Sequence, residues 1–297
     1  MRSRLPAIVN IRSGTASDAI KALATSGAFD VHEVEPDAIA STVKQVVAAG
    51  ATRVLVAGGD GTIATAAAAL LESPAELAVL PGGTLNHFAR DLGISTVAAE
   101  AVKLAGSEGT RPVDVGMVND HVFLNTSSVG AYVRFVRLRE RLERPLGYRI
   151  ASLLAAIHLF ATAHRMAVEV EVDGRTRIFR TAFLFIGVGE RELQLPTLGG
   201  RIPNGRRGLH VMVVSARSRA RYLAIGLAAI TRGVRVLSRS PYFDSVIVDR
   251  LRIEMRSKSI VTVDGEIVSL SEPLVYELRR DALTVVCPPV GSARAHD

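Results

Sequence analysis

The stretch VLVAGGDGTI, residues 54–63, carries the strongest fold signal in the chain. Its four leading apolar residues predict a buried strand, its glycines predict a tight turn, and the run Ile63–Leu71 predicts a helix. Glycine lets the backbone turn sharply and lets a ligand approach the main chain closely. A helix that starts directly after such a turn offers unpaired N–H groups and the positive end of its dipole, which together suit a phosphate group.

The same alternation of apolar runs and helical stretches extends outward on both sides of this stretch. Strands are predicted at Ala7–Asn10, Val31–Val34, Val54–Ala57 and Leu77–Leu80. Helices are predicted at Ala16–Ser26, Asp37–Gly50, Ile63–Leu71 and Leu85–Leu92. Strands separated by helices indicate a mostly parallel sheet, so residues 1–115 are predicted to form a three-layer α/β domain.

Two further polar loops follow predicted strands of this domain. The loop PGGTLN, residues 81–86, follows the strand Leu77–Leu80, and the loop NIRSGT, residues 10–15, follows the first strand. Because open α/β sheets bind ligands at the carboxyl ends of their strands, we expect the three loops to converge. The glycine-rich turn has neither the Gly-Lys-Ser/Thr end of a Walker loop nor the GxGxxG pattern of dinucleotide-binding folds.

Asp60 lies in the middle of the glycine-rich turn. A carboxylate repels phosphate groups unless a cation lies between them, so Asp60 predicts a Mg²⁺ ion together with a nucleotide. The turn sequence by itself leaves one alternative open, a purely structural turn in which Thr62 caps the helix.

The pattern changes after about residue 116, where strands dominate. Two helices are predicted there, one within Tyr132–Ala163 that is broken near Pro145-Leu146-Gly147, and one at Ala220–Thr231. Asp173-Gly174 between two alternating runs is a strong hairpin signal. Strands are predicted at Met166–Val172, Thr176–Ile186, Leu209–Val214, Ser245–Met255, Ser259–Val263, Leu274–Leu278 and Leu283–Val286.

These strands indicate a mainly antiparallel β-sandwich domain over residues 116–286. Residues 287–297 are expected to pack back on the first domain. Charge also differs between the two parts: residues 1–115 contain 9 Lys and Arg against 12 Asp and Glu, whereas residues 116–297 contain 27 against 17. A basic part suits an anionic surface or ligand, and an arginine-rich composition is the alternative explanation.

Composition excludes several other classes. The single cysteine, Cys287, cannot form an internal disulfide, which favours a reduced cytoplasmic compartment. The longest stretch without Asp, Glu, Lys or Arg is Ile150–His164, whose 15 residues fall short of the ~20 apolar residues of a membrane span. Pro6 and Arg12 interrupt the first apolar run, so no signal peptide is predicted. With no Trp and no binding motif, nucleic acid is not expected as a partner.

Four segments of the chain resemble the diacylglycerol kinase catalytic-domain family, which includes bacterial lipid kinases and is related to sphingosine and ceramide kinases. They are NIRSG at 10–14, GGDGT at 58–62, PGGTLNHFARDLGI at 81–94 and DGE at 264–266. Their order fits the whole chain, with NTSSVG at 125–130 opening the second domain. The resemblance implies an α/β nucleotide-binding domain, a β-sandwich that helps form the lipid site, and transfer of the γ-phosphoryl group of ATP to a lipid hydroxyl with Mg²⁺.

The resemblance also implies roles for individual residues. Asp60 would bind Mg²⁺ and take part in catalysis. Asp264 and Glu266 are the two candidates for the base that takes the acceptor proton, and a plain hairpin turn is the other interpretation of Asp264-Gly265. The nucleotide pocket would comprise Asn10, Ser13, Gly14, Gly58, Gly59, Asp60, Gly61, Thr62, Gly83, Thr84 and Asn86.

Three positions depart from the family pattern. Ile11 stands where relatives usually have Pro, and His87 stands where they usually have Asp. Arg207 stands where bacterial relatives commonly have an Asp that binds a structural Mg²⁺. A permanently charged guanidinium cannot bind a cation, so Arg207 either takes the place of the ion or points to solvent.

The sequence therefore predicts an ATP- and Mg²⁺-dependent lipid kinase of phospholipid metabolism, located in the cytoplasm at the inner face of the membrane. Its expected partners are the acceptor lipid and anionic lipid headgroups, and the sequence is compatible with a homodimer. The alternatives are an NAD kinase-like enzyme, which also carries GGDGT, and a non-catalytic lipid- or nucleotide-binding protein of the same fold. PGGTLNHFARDLGI favours the lipid kinase, and His87 and Arg207 keep the non-catalytic alternative open.

Overall fold

The computed structural model describes residues 4–162, 166–172, 175–181, 183–193, 198–214, 243–254 and 259–289. The chain divides into two compact units, Met1–Val115 with Arg279–Asp297, and Gly116–Leu278. The predicted turn Asp173-Gly174, the predicted helix Ala220–Thr231 and residues 290–297 of the expected C-terminal tail lie outside the described residues.

The first unit alternates strands and helices, which confirms the predicted α/β class. Its strands are β1 (Leu5–Asn10), β2 (Phe29–Val34), β3 (Arg53–Gly58) and β4 (Glu76–Pro81). Its helices are α1 (Ala16–Ser26), α2 (Ile39–Ala48), α3 (Asp60–Leu70), α4 (His87–Asp91) and α5 (Ala98–Ala105), with a 3₁₀ turn at Pro36–Ala38. The sequence did not predict α5, because its buried face consists of small residues, Ala101, Val102 and Ala105, that give a weak periodic signal.

The strands pair in parallel in the order β2-β1-β3-β4. Because crossover connections between parallel strands are right-handed, the step back from β2 to β3 places α2 and α3 on the face opposite α1. Contacts agree, since α2 packs on α3 while α1 packs on α5. Residues 54–57 and 77–80 are buried without interruption, as expected for strands covered on both faces.

Two long strands contain the boundary between the units, β5 (Thr110–Val118) and β18 (Leu274–Val286). The second half of β18 pairs in parallel with β4, with Val285 opposite Leu77. The Cys287 N–H then donates to the Gly109 carbonyl at 3.0 Å. The chain therefore rejoins the first unit at Arg279, eight residues before the sequence-based boundary at 287, because one continuous strand replaces the two strands predicted there.

The second unit is mainly antiparallel β-structure, as the sequence predicts. Its elements begin with β6 (His121–Phe123), β7 (Thr126–Gly130) and α6 (Ala131–Thr162). Strands β8 (Met166–Val172), β9 (Arg175–Thr181), β10 (Phe183–Val188), β11 (Arg191–Leu193), β12 (Leu198–Arg201) and β13 (Leu209–Val214) follow. The remaining strands are β14 (Phe243–Val248), β15 (Arg250–Glu254), β16 (Ser259–Val263) and β17 (Glu266–Leu270).

These strands form two main sheets that share one core. One sheet has the order β14-β13-β10-β7-β16-β17, and the first half of β18 pairs in the order β18-β15-β8-β9. Buried residues from both sheets pack together, among them Val129, Ile186, Val261, Ile253 and Tyr276. A core shared by two antiparallel layers is the arrangement of a β-sandwich.

Strand boundaries differ from the prediction where the chain changes sheet. The run Thr176–Ile186 is divided between β9 and β10, and the run Ser245–Met255 is divided between β14 and β15. In both cases the two strands belong to different sheets. Alternation with a period of two continues through such a crossing, so the pattern alone does not mark it. The predicted break in α6 is present, since Gly147 has φ 73° and ψ 161° directly after Leu146.

Candidate active site

The glycine-rich turns after β3 and β4 are in direct contact. The Gly82 N–H donates to the Gly58 carbonyl at 2.8 Å. A Cβ on Gly83 would lie 2.9 Å from the Gly59 Cα, and a Cβ on Gly58 would lie 2.6 Å from the Thr62 side chain. Backbones this close leave no room for a side chain, which explains why glycine occupies these positions.

Asn10 connects the loop after β1 to the start of α3. Its side chain is buried, and its Nδ2 donates to the Thr62 hydroxyl at 2.7 Å. Its Oδ1 accepts the backbone N–H of Arg12 at 2.9 Å, which closes a local turn. Asn10 and Thr62 are 52 residues apart in the sequence, and their contact brings two of the three predicted loops together.

Ser13 and Thr15 connect the same loop to the turn after β4. The Ser13 hydroxyl donates to the Gly82 carbonyl at 2.9 Å, and the Thr15 hydroxyl donates to it at 3.3 Å. A Cβ on Gly82 would lie 2.6 Å from both hydroxyl oxygens. The three polar loops therefore converge at the carboxyl ends of β1, β3 and β4, as predicted.

Asn86 shapes the turn that follows β4. Its backbone is left-handed, with φ 50°, a conformation that asparagine tolerates better than most residues. Its Oδ1 accepts the Gly83 N–H at 2.8 Å, and its Nδ2 donates to the Gly83 carbonyl at 2.7 Å. This reciprocal pair holds Gly83 against Gly59, while Thr84 at the tip of the turn is exposed.

Asp60 joins the starts of two helices. It is the first residue of α3, and its two carboxylate oxygens accept the backbone N–H groups of His87 and Phe88, each at 3.2 Å. These N–H groups belong to the first turn of α4, where they have no partner within the helix. Since a carboxylate offers about four acceptor positions, Asp60 retains acceptor capacity for a further ligand.

This arrangement fits a nucleotide phosphate. The first intrahelical bond of α3 runs from the Ile63 N–H to the Gly59 carbonyl, so the N–H groups of Asp60, Gly61 and Thr62 precede the helical ladder. Asp60 is the carboxylate that would be available to Mg²⁺ at this turn; no group of three or more His, Cys, Asp or Glu side chains with metal-site geometry occurs among the described residues. One protein carboxylate with phosphate oxygens and water is an ordinary Mg²⁺ environment.

In the second unit, Asp264-Gly265 forms the two-residue turn of the β16–β17 hairpin, with Val263 opposite Glu266. Both turn residues have positive φ, 48° for Asp264 and 91° for Gly265. Asp-Gly suits such a turn, so the hairpin interpretation of this segment is correct as far as its backbone is concerned.

The Asp264 carboxylate nevertheless does more than complete a turn. Its Oδ2 accepts the Leu124 N–H at 2.7 Å, and its Oδ1 accepts the N–H groups of Asn125 and Thr126 at 2.8 and 2.9 Å. Burial raises the pKa of Asp264 to about 6. The three N–H groups and the charge of Arg191 lower this pKa, but by less than burial raises it. Asp264 therefore holds the segment that leads into β7, whereas Glu266 is exposed.

Comparison with known proteins identifies the family of this chain. The Diacylglycerol kinase catalytic domain matches residues 4–118, which contain all three polar loops. A protein of Pseudomonas savastanoi pv. phaseolicola named "Probable lipid kinase YegS-like" is 30% identical over 261 residues, which cover 83% of this chain and 79% of that protein. The chain belongs to the diacylglycerol kinase catalytic-domain family.

Two further matches describe this family relationship. A Pseudomonas aeruginosa protein with the same name is 34% identical over 181 residues, 59% of this chain and 54% of that protein, so the match spans about half of that relative. A crystal structure titled "a putative diacylglycerol kinase from Bacillus anthracis str. Sterne" superposes with a TM-score of 0.74 at 25% identity, over 96% of this chain and 97% of that one. The likeness in structure thus covers both units.

Two of the departures from the family pattern, His87 and Ile11, lie at positions where the backbone N–H makes a bond. At position 87 the backbone N–H, which every residue except proline has, bonds Asp60, so this contact does not depend on the histidine side chain. Ile11 is exposed, and its N–H donates to the Val34 carbonyl at 3.1 Å, a bond that a proline in this place would lack.

Arg207 is exposed, and its neighbours in the loop make several bonds that the structure describes. The Glu190 carboxylate accepts the Arg206 N–H at 2.8 Å, and the Glu190 N–H donates to the Arg206 carbonyl at 3.0 Å. The Gly189 N–H likewise donates to the Gly208 carbonyl. Backbone bonds and one carboxylate therefore hold this loop of the described chain, and its residues provide no metal-binding cluster.

Sequence patterns gave no signal for several buried polar residues near Asp264. Arg191 is 3% exposed, its Nε donates to the Val188 carbonyl at 3.1 Å, and its N–H donates to His210 Nδ1 at 3.0 Å. Burial lowers the pKa of His210, in keeping with a neutral ring that accepts this bond. The Asn125 Oδ1 is buried without a partner among the described residues. Only the folded chain brings these groups together.

Proposed function

We propose that the protein is an ATP- and Mg²⁺-dependent lipid kinase that transfers the γ-phosphoryl group to a lipid hydroxyl such as that of diacylglycerol. The observation that carries the proposal is the contact between Asp60 and the first turn of α4, within loops that have glycines where the backbones touch. Family membership supports the same activity, since several curated relatives are named probable lipid kinases.

The loops of the first unit would bind and orient the nucleotide. The glycines leave space at the main chain, and the N–H groups at the start of α3 would donate to the phosphates. Asp60 would bind Mg²⁺, which when present neutralises the charge of the transferred group. Asn10, Ser13 and Asn86 act through the loops that they fix, and Gly14 and Thr84 are exposed positions of the same loops.

Glu266 is the better candidate for the base. Asp264 already accepts three backbone N–H groups, so removing it would disturb the segment around Asn125 as well as any reaction. Glu266 is exposed at the end of the same hairpin, and a carboxylate that takes a hydroxyl proton must be able to meet its substrate. We assign Asp264 a positioning role and Glu266 the role of general base.

The acceptor lipid would reach the enzyme from a membrane surface. None of the helices in the described parts of the chain is long and apolar enough to cross a membrane. We propose peripheral association with the inner face of the membrane and a role in phospholipid metabolism. Anionic headgroups would supply the electrostatic attraction for the basic second half of the chain.

The decisive experiment combines purified protein with ATP labelled at the γ-phosphate, Mg²⁺ and total bacterial membrane lipid. The labelled product is then identified, and parallel reactions contain NAD in place of lipid. We expect a labelled phospholipid that disappears on chelation of Mg²⁺ and with Asp60→Ala. Labelled NADP would establish the NAD kinase alternative, and nucleotide binding without turnover of either acceptor would establish a non-catalytic protein.

The choice between the two carboxylates has its own test. Glu266→Gln is expected to lower turnover by about a hundredfold, the usual range for loss of a general base, with the unfolding free energy unchanged within about 0.5 kcal/mol. Full turnover of Glu266→Gln with a correctly folded protein would remove Glu266 from the mechanism.

A further inference from the structure

The second half of α6 exposes large apolar side chains. The exposed fractions are 54% for Ile150, 41% for Leu154 and 47% for Ile157, and Leu146 just before the break is 39% exposed. On the same helix Ala151 and Ala155 are fully buried. Among the described side chains of this half, large apolar residues are thus exposed and small ones buried, whereas an ordinary surface helix buries its large apolar residues.

The spacing places these residues on one face. Residues 150, 154 and 157 are separated by four and three positions, so their side chains lie next to each other along the helix. The buried alanines at positions 151 and 155 occupy another face, where small side chains let the helix pack closely on the unit. We name Ile150, Leu154 and Ile157 the apolar stripe.

The first half of α6 carries a row of positive charge. Arg137, Arg141 and Arg144 are exposed and have the same spacing of four and three positions. The acidic residue Glu143 lies next to this row, and its carboxylate is 3.8 Å from the Arg139 Nε. We name Arg137, Arg141 and Arg144 the basic stripe.

We infer that α6 is the membrane-docking element of this protein, with the basic stripe on anionic headgroups and the apolar stripe in the region between headgroups and acyl chains. Helices that lie in a bilayer interface combine exposed Leu or Ile residues with Lys or Arg in this way. Charge decides the occupant, because three exposed arginines complement an anionic lipid surface. The inference deepens the proposed function and rests on it for the lipid nature of the acceptor.

Vesicle co-sedimentation of the full chain tests the apolar stripe. The vesicles contain phosphatidylcholine alone or an equimolar mixture of phosphatidylcholine and phosphatidylglycerol. The double change Ile150→Glu and Leu154→Glu is expected to weaken binding to the mixed vesicles by at least about tenfold. The matched control is the double change Ile178→Glu and Val246→Glu, at 70% and 46% exposed positions on β9 and β14, which adds the same two charges and is expected to bind within about twofold of wild type.

The basic stripe is tested by changing Arg137, Arg141 and Arg144 together to Gln. Each arginine near an anionic surface is expected to raise vesicle affinity about fivefold, so the triple variant should bind the mixed vesicles more weakly than wild type. This difference should vanish on phosphatidylcholine vesicles and at high salt. The matched control changes the exposed Arg175, Arg180 and Arg250 of the same unit to Gln. Equal losses in the two triple variants would mean that overall charge, and not α6, attracts the membrane.

Two further measurements separate this inference from the proposed function. Turnover of a short-chain diacylglycerol in detergent micelles is expected to survive the double Glu change, since chemistry on a dispersed lipid needs no bilayer docking. Vesicle binding by α6 without turnover of any lipid would refute the kinase proposal and leave the docking surface standing. Unchanged vesicle binding of the double variant would overturn the inference, as would a wild-type dimer that the double variant converts to monomer.

Discussion

Asp60 in the first unit and Asp264 in the second both use a carboxylate to hold backbone N–H groups, but they do so to different degrees. Asp60 accepts two N–H groups at 3.2 Å at the edge of an open glycine-rich turn. Asp264 accepts three at 2.7 to 2.9 Å, and its carboxyl group is enclosed. Longer bonds to fewer donors leave Asp60 able to bind a cation, whereas Asp264 is committed to its own backbone segment.

The comparison shows that similar motif residues can serve different purposes. Asp60 and Asp264 each precede a glycine within two residues of the end of a strand. In the first unit the turn leads into a helix, whose first N–H groups precede the helical ladder and suit an anionic ligand. In the second unit the turn joins two strands of one hairpin, so the carboxylate folds back on β7 and its neighbours. The following predictions test this contrast.

The largest effect is expected for Asp60→Ala. Loss of the cation ligand should lower phosphoryl transfer by about a thousandfold, about 4 kcal/mol of activation free energy, while loss of the contact to α4 costs only about 1 kcal/mol of folding stability. Turnover and urea unfolding measure the two effects. Asp18→Ala, at an exposed position in α1, is the control, and Asp60→Ala activity within about threefold of wild type would contradict the assignment.

Asp264→Ala should act on stability first. Three N–H groups lose their acceptor and alanine must adopt a positive φ, so we expect the unfolding free energy at pH 7 to fall by about 3 kcal/mol. Glu266→Ala, two residues further along, should change it by less than about 0.5 kcal/mol. If the two variants are equally stable in urea unfolding, the positioning role of Asp264 is wrong.

The pKa of Asp264 predicts a specific dependence of stability on pH. Because the pKa rises from 3.8 to about 6 on folding, the folded protein binds this proton more tightly than the unfolded chain. The protonated carboxyl therefore contributes about 3 kcal/mol to the free energy of unfolding below about pH 4, and this contribution is lost as pH rises through 6. The difference in unfolding free energy between wild type and Asp264→Asn measures it, and a difference that is constant between pH 4 and 7 would rule it out.

The smallest effect is expected for Gly83→Ala. The added Cβ would lie 2.9 Å from the Gly59 Cα, so the two turns must separate by a few tenths of an ångström and ATP affinity should fall by about tenfold. Gly106→Ala is the control, because the nearest atom to its Cβ is 3.6 Å away. Calorimetric titration with ATP compares them, and equal affinities would show that the contact between the turns does not shape the pocket.

Much of the first unit was predictable because its signals are local. Helix α1 begins and ends at the predicted residues, and the convergence of three polar loops follows from the parallel order of their strands. The second unit was less predictable at its sheet crossings, since the alternation through Thr176–Ile186 does not show that β9 and β10 lie in different sheets. The contrast between Asp60 and Asp264 was also absent from the sequence.

The sequence by itself determined where glycines allow sharp turns, where strands and helices alternate, and which carboxylates stand beside those turns. Local rules suffice there, because φ preferences and apolar periodicity act over a few residues. The tertiary structure alone decided what each carboxylate holds, since Asp264 meets the Leu124 N–H from 140 residues away. It also decided that α6 buries alanines and exposes isoleucines, because which face of a helix is covered depends on what packs against it.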